Sequence, residues 1–114
     1  MLSEHERAIH YFSRAYEVDP TFYAARVHKG VLLSREFGRH DEALVEFDAV
    51  LQVEPENLKA LLNRGLALQA NGRFQDAMVD LEKYLALGQS DEYWADTQRI
   101  VRSLQALIEE LEDE

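Results

Sequence analysis

Apolar residues recur along this chain in stripes three and four positions apart. Ala8, Ile9, Phe12, Ala15 and Tyr16 form one, and Ala43, Leu44, Phe47, Val50 and Leu51 form another. Phe74, Ala77, Met78, Leu81, Tyr84 and Leu85 form a third. Side chains at that spacing stack on one face of a helix, so each stripe predicts an amphipathic helix. Between them lie 23–36 and 58–70, also helical but richer in small and apolar residues. A last stripe, Trp94, Thr97, Val101, Leu104, Ile108 and Leu111, keeps the period over about 91–110, widened by Tyr93, Ile100 and Leu107. No segment alternates as a strand would. The pattern predicts an all-α chain of about six helices.

Breakers and caps divide these helices. Pro20 and Pro55 end helices, and Gly38 and Gly72 mark turns. Ser3 with Glu6 makes a capping box, which starts the first helix at Glu4. Thr21 and Asn57 are read as caps of the following helices, and Ser90 as the cap of the last, with Asp91 and Glu92 in its first turn. The marks also repeat. Ala8, Ala43 and Ala77 are 35 and 34 residues apart, as are Phe12, Phe47 and Leu81. Pro20 and Pro55, and Gly30 and Gly65, are 35 apart, whereas Gly38 and Gly72 are 34 apart. One residue is therefore inserted near Glu36-Phe37.

A helical hairpin repeated at this period resembles the tetratricopeptide repeat. The clearest unit is 58–65 with Gly65, followed by Gly72-Arg73-Phe74-Gln75-Asp76-Ala77. Gly30, Gly38, Ala43, Phe47 and Pro55 match in the unit before it, and Ala8, Phe12, Ala15 and Pro20 match a second helix only. The resemblance implies one domain, a right-handed helical-hairpin solenoid. It comprises a half repeat at 4–20, full repeats at 21–57 and 58–89, and a capping helix with an acidic tail at 90–114. Gly30 is expected to face Ala43, and Gly65 to face Ala77, with Phe12, Phe47 and Leu81 filling space toward the next helix. The chain departs from the family where Val50 and Tyr84 replace a small residue and Gln89 replaces a closing proline. That bulk is expected to splay the following helix outward.

The resemblance also implies a function, non-catalytic binding of a peptide or protein segment in the concave groove. The groove positions map to Ala24, Val27, His28, Val31, Ser34 and Arg35 in one repeat. In the next they map to Lys59, Leu62, Asn63, Leu66, Gln69 and Ala70. These positions include basic groups and no acid. Some family members grip an acidic C-terminal tail with a two-carboxylate clamp. Here Asn63 matches its middle element, but Val27 and Val31 stand where a Lys and an Asn are needed, so the clamp is not expected. The groove positions are alternatively filled by the last helix.

Charge sharpens this picture. The 114 residues carry 12 Lys+Arg against 22 Asp+Glu, a formal net charge of −10. Residues 90–114 alone hold eight acids against two arginines. Nucleic acid and anionic membranes need a basic surface, so neither is an expected partner. The run Glu109–Glu114 reads as a fraying, solvated helix end or as a tail for a basic partner. With no Cys, thiolate metal sites and a Cys nucleophile are excluded, and a cytoplasmic setting is expected. No cofactor is expected and no catalytic motif is present. Lone histidines and the helical pairs Glu42-Glu46 and Asp76-Asp80 read as solvated surface. Structural self-association is the alternative function, as a homodimer through the last helix or through helix 4–18, whose apolar face (Ile9, Tyr11) lacks a partner helix. Helix 4–18 otherwise pairs adequately with the next helix alone, or the chain is a segment of a longer, multidomain repeat protein.

Overall fold

A computed structural model describes residues 1–113; Glu114, the end of the acidic run, lies outside them. Among the described residues the regular elements are helices alone: α1 (Glu4–Val18), α2 (Tyr23–Arg35), α3 (His40–Val53), α4 (Leu58–Ala70), α5 (Phe74–Leu87) and α6 (Trp94–Glu112). Each helix packs on the next, and α2 also touches α4. The stack measures 48 × 31 × 23 Å, with a radius of gyration of 14.9 Å. A compact globule of this length has a radius near 13 Å. The chain is therefore an elongated solenoid, and its core runs along the stack.

Local chemistry explains most of the helix limits. Ser3 Oγ accepts from the Glu6 amide at 3.2 Å and Glu6 Oε1 accepts from the Ser3 amide at 3.4 Å, so the expected capping box forms. Asn57 Oδ1 caps α4 by accepting from the Ala60 amide at 2.9 Å. Thr21 does not cap α2. Its hydroxyl donates to Asp19 at 2.7 Å, and the cap position falls to Phe22 without a side-chain bond. Ser90 does not cap α6 either. Residues 88–93 form a further turn, and the helix starts at Trp94. Gly38 and Gly72 reverse the chain at φ +63° and +78°, a backbone region that L side chains rarely adopt. The turns close through Arg39 N–H to Leu33 and Arg73 N–H to Leu68. The first closure spans one residue more, which accommodates the insertion.

Gly30 and Gly65 permit close helix approach. Gly65 meets the Ala77 backbone as expected, but the tightest neighbours are Phe47 and Leu81, and Ala43 is not among the nearest atoms to Gly30. A Cβ on Gly30 would lie 2.6 Å from Phe47 Cε1, and one on Gly65 would lie 2.6 Å from Leu81 Cδ2. Phe47 and Leu81 thus fill space within their own hairpins, and both are fully buried. Each such side chain contributes about 1.5–3 kcal/mol of burial.

Two carboxylates read as solvated surface are buried instead. Glu46 is 7% exposed and meets Arg26 at 3.1 Å and Lys29 at 3.3 Å. Burial pulls the Lys29 ammonium down, but a hydrogen bond to Tyr16 and the Glu46 charge outweigh it and leave its pKa above the ordinary value. Asp80 is 3% exposed and accepts from Arg64 Nε at 2.7 Å and Nη2 at 2.8 Å. Those bonds raise the Arg64 pKa despite its partial burial. A buried carboxylate without a cation would be strongly destabilising, so each hairpin depends on its pair.

Candidate functional site

The groove begins with helix geometry. Consecutive hairpins set α2 beside α4, while α6 packs on α5 as α4 packs on α3. The outward splay expected after Val50 does not occur, because α2 and α4 remain in contact over the fully buried Val50. It does occur after Tyr84. No Cα pair between α4 and α6 comes within 8 Å. Tyr84 is fully buried and its hydroxyl donates to Asp91, in the turn before α6. Burial, reinforced by the neighbouring Asp91, pushes its phenol pKa up. The Trp94 indole N–H donates to the Leu85 carbonyl at 2.8 Å and pins the start of α6 to the end of α5. Tyr84 lines the space between α4 and α6.

The space left is a cavity of about 320 Å³. It unites most of the residues singled out in the sequence: Val27, His28, Val31 and Arg35 from α2, and Lys59, Leu62, Asn63 and Leu66 from α4. Ala24 lines an adjoining hollow with Val27, His28 and Lys59. Ser34 and Ala70 line another with Val31, Arg35, Asn63 and Leu66, and there the Ser34 hydroxyl lies 2.8 Å from His40 Nδ1. Gln69 lines none of these three.

Burial separates the floor from the rim. Val27 and Leu62 are 3% and 7% exposed, and so belong to the core as much as to the groove. Val31 and Leu66 are half-buried, whereas His28, Arg35 and Lys59 are exposed. His28 stacks on Phe12 with centroids 5.2 Å apart, which joins α2 to the uncovered helix α1. Asn63 donates back to the Lys59 carbonyl at 2.7 Å, so its amide is committed to its own helix. Arg35 and Lys59 make no ion pair among the described residues.

The last helix was one expected occupant of the groove, but the acidity of the wall it forms was not expected. Asp91, Glu92, Tyr93, Asp96, Thr97 and Ile100 line the same cavity, so the groove has an acidic side. Continuing the repeat beyond Lys59 would have placed the start of α6 there. A hollow of about 380 Å³ at the start of α5 and the end of α6 is less suited to recognition. Its Arg73 and Asp76 already pair with each other at 2.8 Å. Among the described residues no three His, Cys, Asp or Glu side chains are grouped to hold a metal ion, and no helix is long and apolar enough to cross a membrane.

Comparison with known proteins agrees with this architecture. Two family models described as tetratricopeptide repeat match residues 34–100 and 2–47. The chain belongs to the tetratricopeptide repeat family and is a protein–protein interaction module. It is 36% identical over 80 residues to human tetratricopeptide repeat protein 6, covering 67% of this chain and 15% of that one. It is 31% identical over 80 residues to the UDP-N-acetylglucosamine–peptide N-acetylglucosaminyltransferase of Giardia intestinalis, covering 70% and 5%. It is 32% identical over 74 residues to a tetratricopeptide repeat and J domain-containing co-chaperone of Cryptococcus neoformans, covering 65% and 14%. The chain thus spans a small fraction of the length of these relatives. A solved structure titled MamA RS-1 ArsTM double mutant shares the fold, with a TM-score of 0.68 at 16% identity over 98% of this chain and 70% of that one.

Proposed function

We propose that the chain is a non-catalytic adaptor that binds a segment of another protein in the cavity between α2, α4 and α6. The observation that carries this reading is an open cavity with an apolar floor (Leu58, Leu62, Leu66, Ile100) and charged rims, two of whose cations have no ion-pair partner among the described residues. An apolar floor supplies binding energy and sparse polar groups supply orientation, the usual division in a recognition site. Leu62 is too buried to be a clean probe, so half-buried Leu66 is the better one. A photo-crosslinking residue at position 66 should capture a partner in source-cell extract, and one at exposed Val79 on α5 should not. Equal labelling at both positions would refute the groove reading.

One observation favours a second reading, self-association through α1. Ala43, Glu46, Phe47 and Val50 are at most 7% exposed, as are their counterparts in α5. The equivalent α1 residues, Ala8, Tyr11, Phe12 and Ala15, are not buried, and Tyr11 is 68% exposed. A monomer molar mass at every concentration in light scattering would dispose of a dimer.

A further inference from the structure

The cavity carries opposite charges on its two sides, and this restricts what it can hold. His28, Arg35 and Lys59 stand on the α2–α4 side, and Asp91, Glu92 and Asp96 on the α6 side. The acids differ in how far they are already engaged. Asp91 accepts from Tyr84, and Asp96 pairs with Arg99 at 3.0 Å. Glu92 is exposed and has no ion-pair partner among the described residues. Between the two rims lies the apolar floor of Leu58, Leu62, Leu66 and Ile100.

A uniformly acidic tail would satisfy Arg35 and Lys59 but meet Glu92 and Asp96 with like charge. A uniformly basic segment would meet the reverse conflict. Like-charge juxtaposition excludes wrong partners more effectively than rim pairs strengthen right ones. We infer that the bound segment has mixed charge: an apolar anchor on the Leu62–Ile100 floor, a carboxylate toward Arg35 and Lys59, and a cation toward Glu92 and Asp96. This rests on the groove being the binding surface. The acidic wall comes from α6 and the turn before it, which face the cavity. An exposed rim pair is worth about two- to fivefold in affinity, so turning two acids into cations should shift charge preference by about tenfold or more.

The test selects a random 12-residue peptide library, displayed on phage, against the whole chain. Leu66→Glu and Val31→Asp, each checked for native helicity, serve as counter-selection. The expected winners hold an apolar anchor with an acid on one side and a base on the other. Selection on Glu92→Lys with Asp96→Lys should then deplete Lys and Arg from the winners by about tenfold and enrich Asp and Glu. Winners that are uniformly acidic, or without charge bias, would overturn the mixed-charge inference and leave the groove reading standing. Winners that bind both counter-selection variants as well as the wild type would overturn the groove reading itself.

Discussion

Removing Arg64 tests what holds the second hairpin together. Asp80 is 3% exposed, and both its oxygens accept from Arg64, at 2.7 and 2.8 Å. Arg64→Met keeps much of the stem volume but leaves the carboxylate without its cation. Breaking a fully buried pair costs about 3–5 kcal/mol. The Arg64 side chain is 28% exposed, so water reaches the vacated site and softens the loss. We expect a destabilisation of about 2–3 kcal/mol, or roughly 8–12 °C in Tm for a domain of this size. Arg64→Met combined with Asp80→Leu removes both desolvation penalties and should stay within about 1 kcal/mol of wild type. Urea unfolding followed by circular dichroism gives all three stabilities. A single variant within about 0.5 kcal/mol of wild type, or a double variant worse than the single, would refute the reasoning.

Three further outcomes follow from the packing. Gly30→Ala should cost more than Gly65→Ala, about 2 against about 1 kcal/mol, because the Phe47 ring cannot yield to a new Cβ as a Leu81 branch can; the gain in helix propensity, about 1 kcal/mol, is already included. Equal melting points would contradict this. Hydrogen bonds from the Thr21 hydroxyl and amide hold the Asp19 carboxyl below its ordinary pKa. That stabilisation is full above the ordinary carboxylate range and is lost as pH falls through the lowered pKa. Thr21→Ala should move the Asp19 carboxyl upward in an NMR titration, and an unmoved curve would exclude the hydroxyl as the cause. Tyr84→Phe removes the donor to Asp91 and should cost about 1 kcal/mol. It should also speed amide exchange at the start of α6, and unchanged exchange there would show that the bond does not anchor that helix.

Much of the fold was legible because a stacked repeat writes its contacts periodically. Ala43 with Ala77 and Gly30 with Gly65 recur in register, and Pro20, Pro55, Gly38 and Gly72 divide the helices. The caps were less legible. Thr21 and Ser90 have suitable side chains, but Asp19 takes the Thr21 hydroxyl and a turn at 88–93 delays α6. The buried charges misled for a related reason. Glu46 and Asp80 sit on helix faces that read as outward, and the cations of the preceding helix make their burial tolerable. Their signal was present. Lys29 and Arg64 are 35 apart, Glu46 and Asp80 are 34 apart, and the charges are opposite. The groove was half legible: its α2 and α4 residues follow from the repeat, and its acidic wall was missed because the repeat was not continued past α4 to the start of α6.

The account stands on the α2–α4–α6 cavity being the surface that meets a partner. Quantitative affinity capture from the source cell can compare wild type with Lys59→Glu plus Leu66→Glu in the cavity and with Val45→Glu plus Val79→Glu on the outer helices. All three should keep native helicity. The cavity variant should lose the specific partners of the wild type by about tenfold or more, while the outer variant keeps them. Retention by the cavity variant with loss in the outer one would place binding on the convex face and contradict the account.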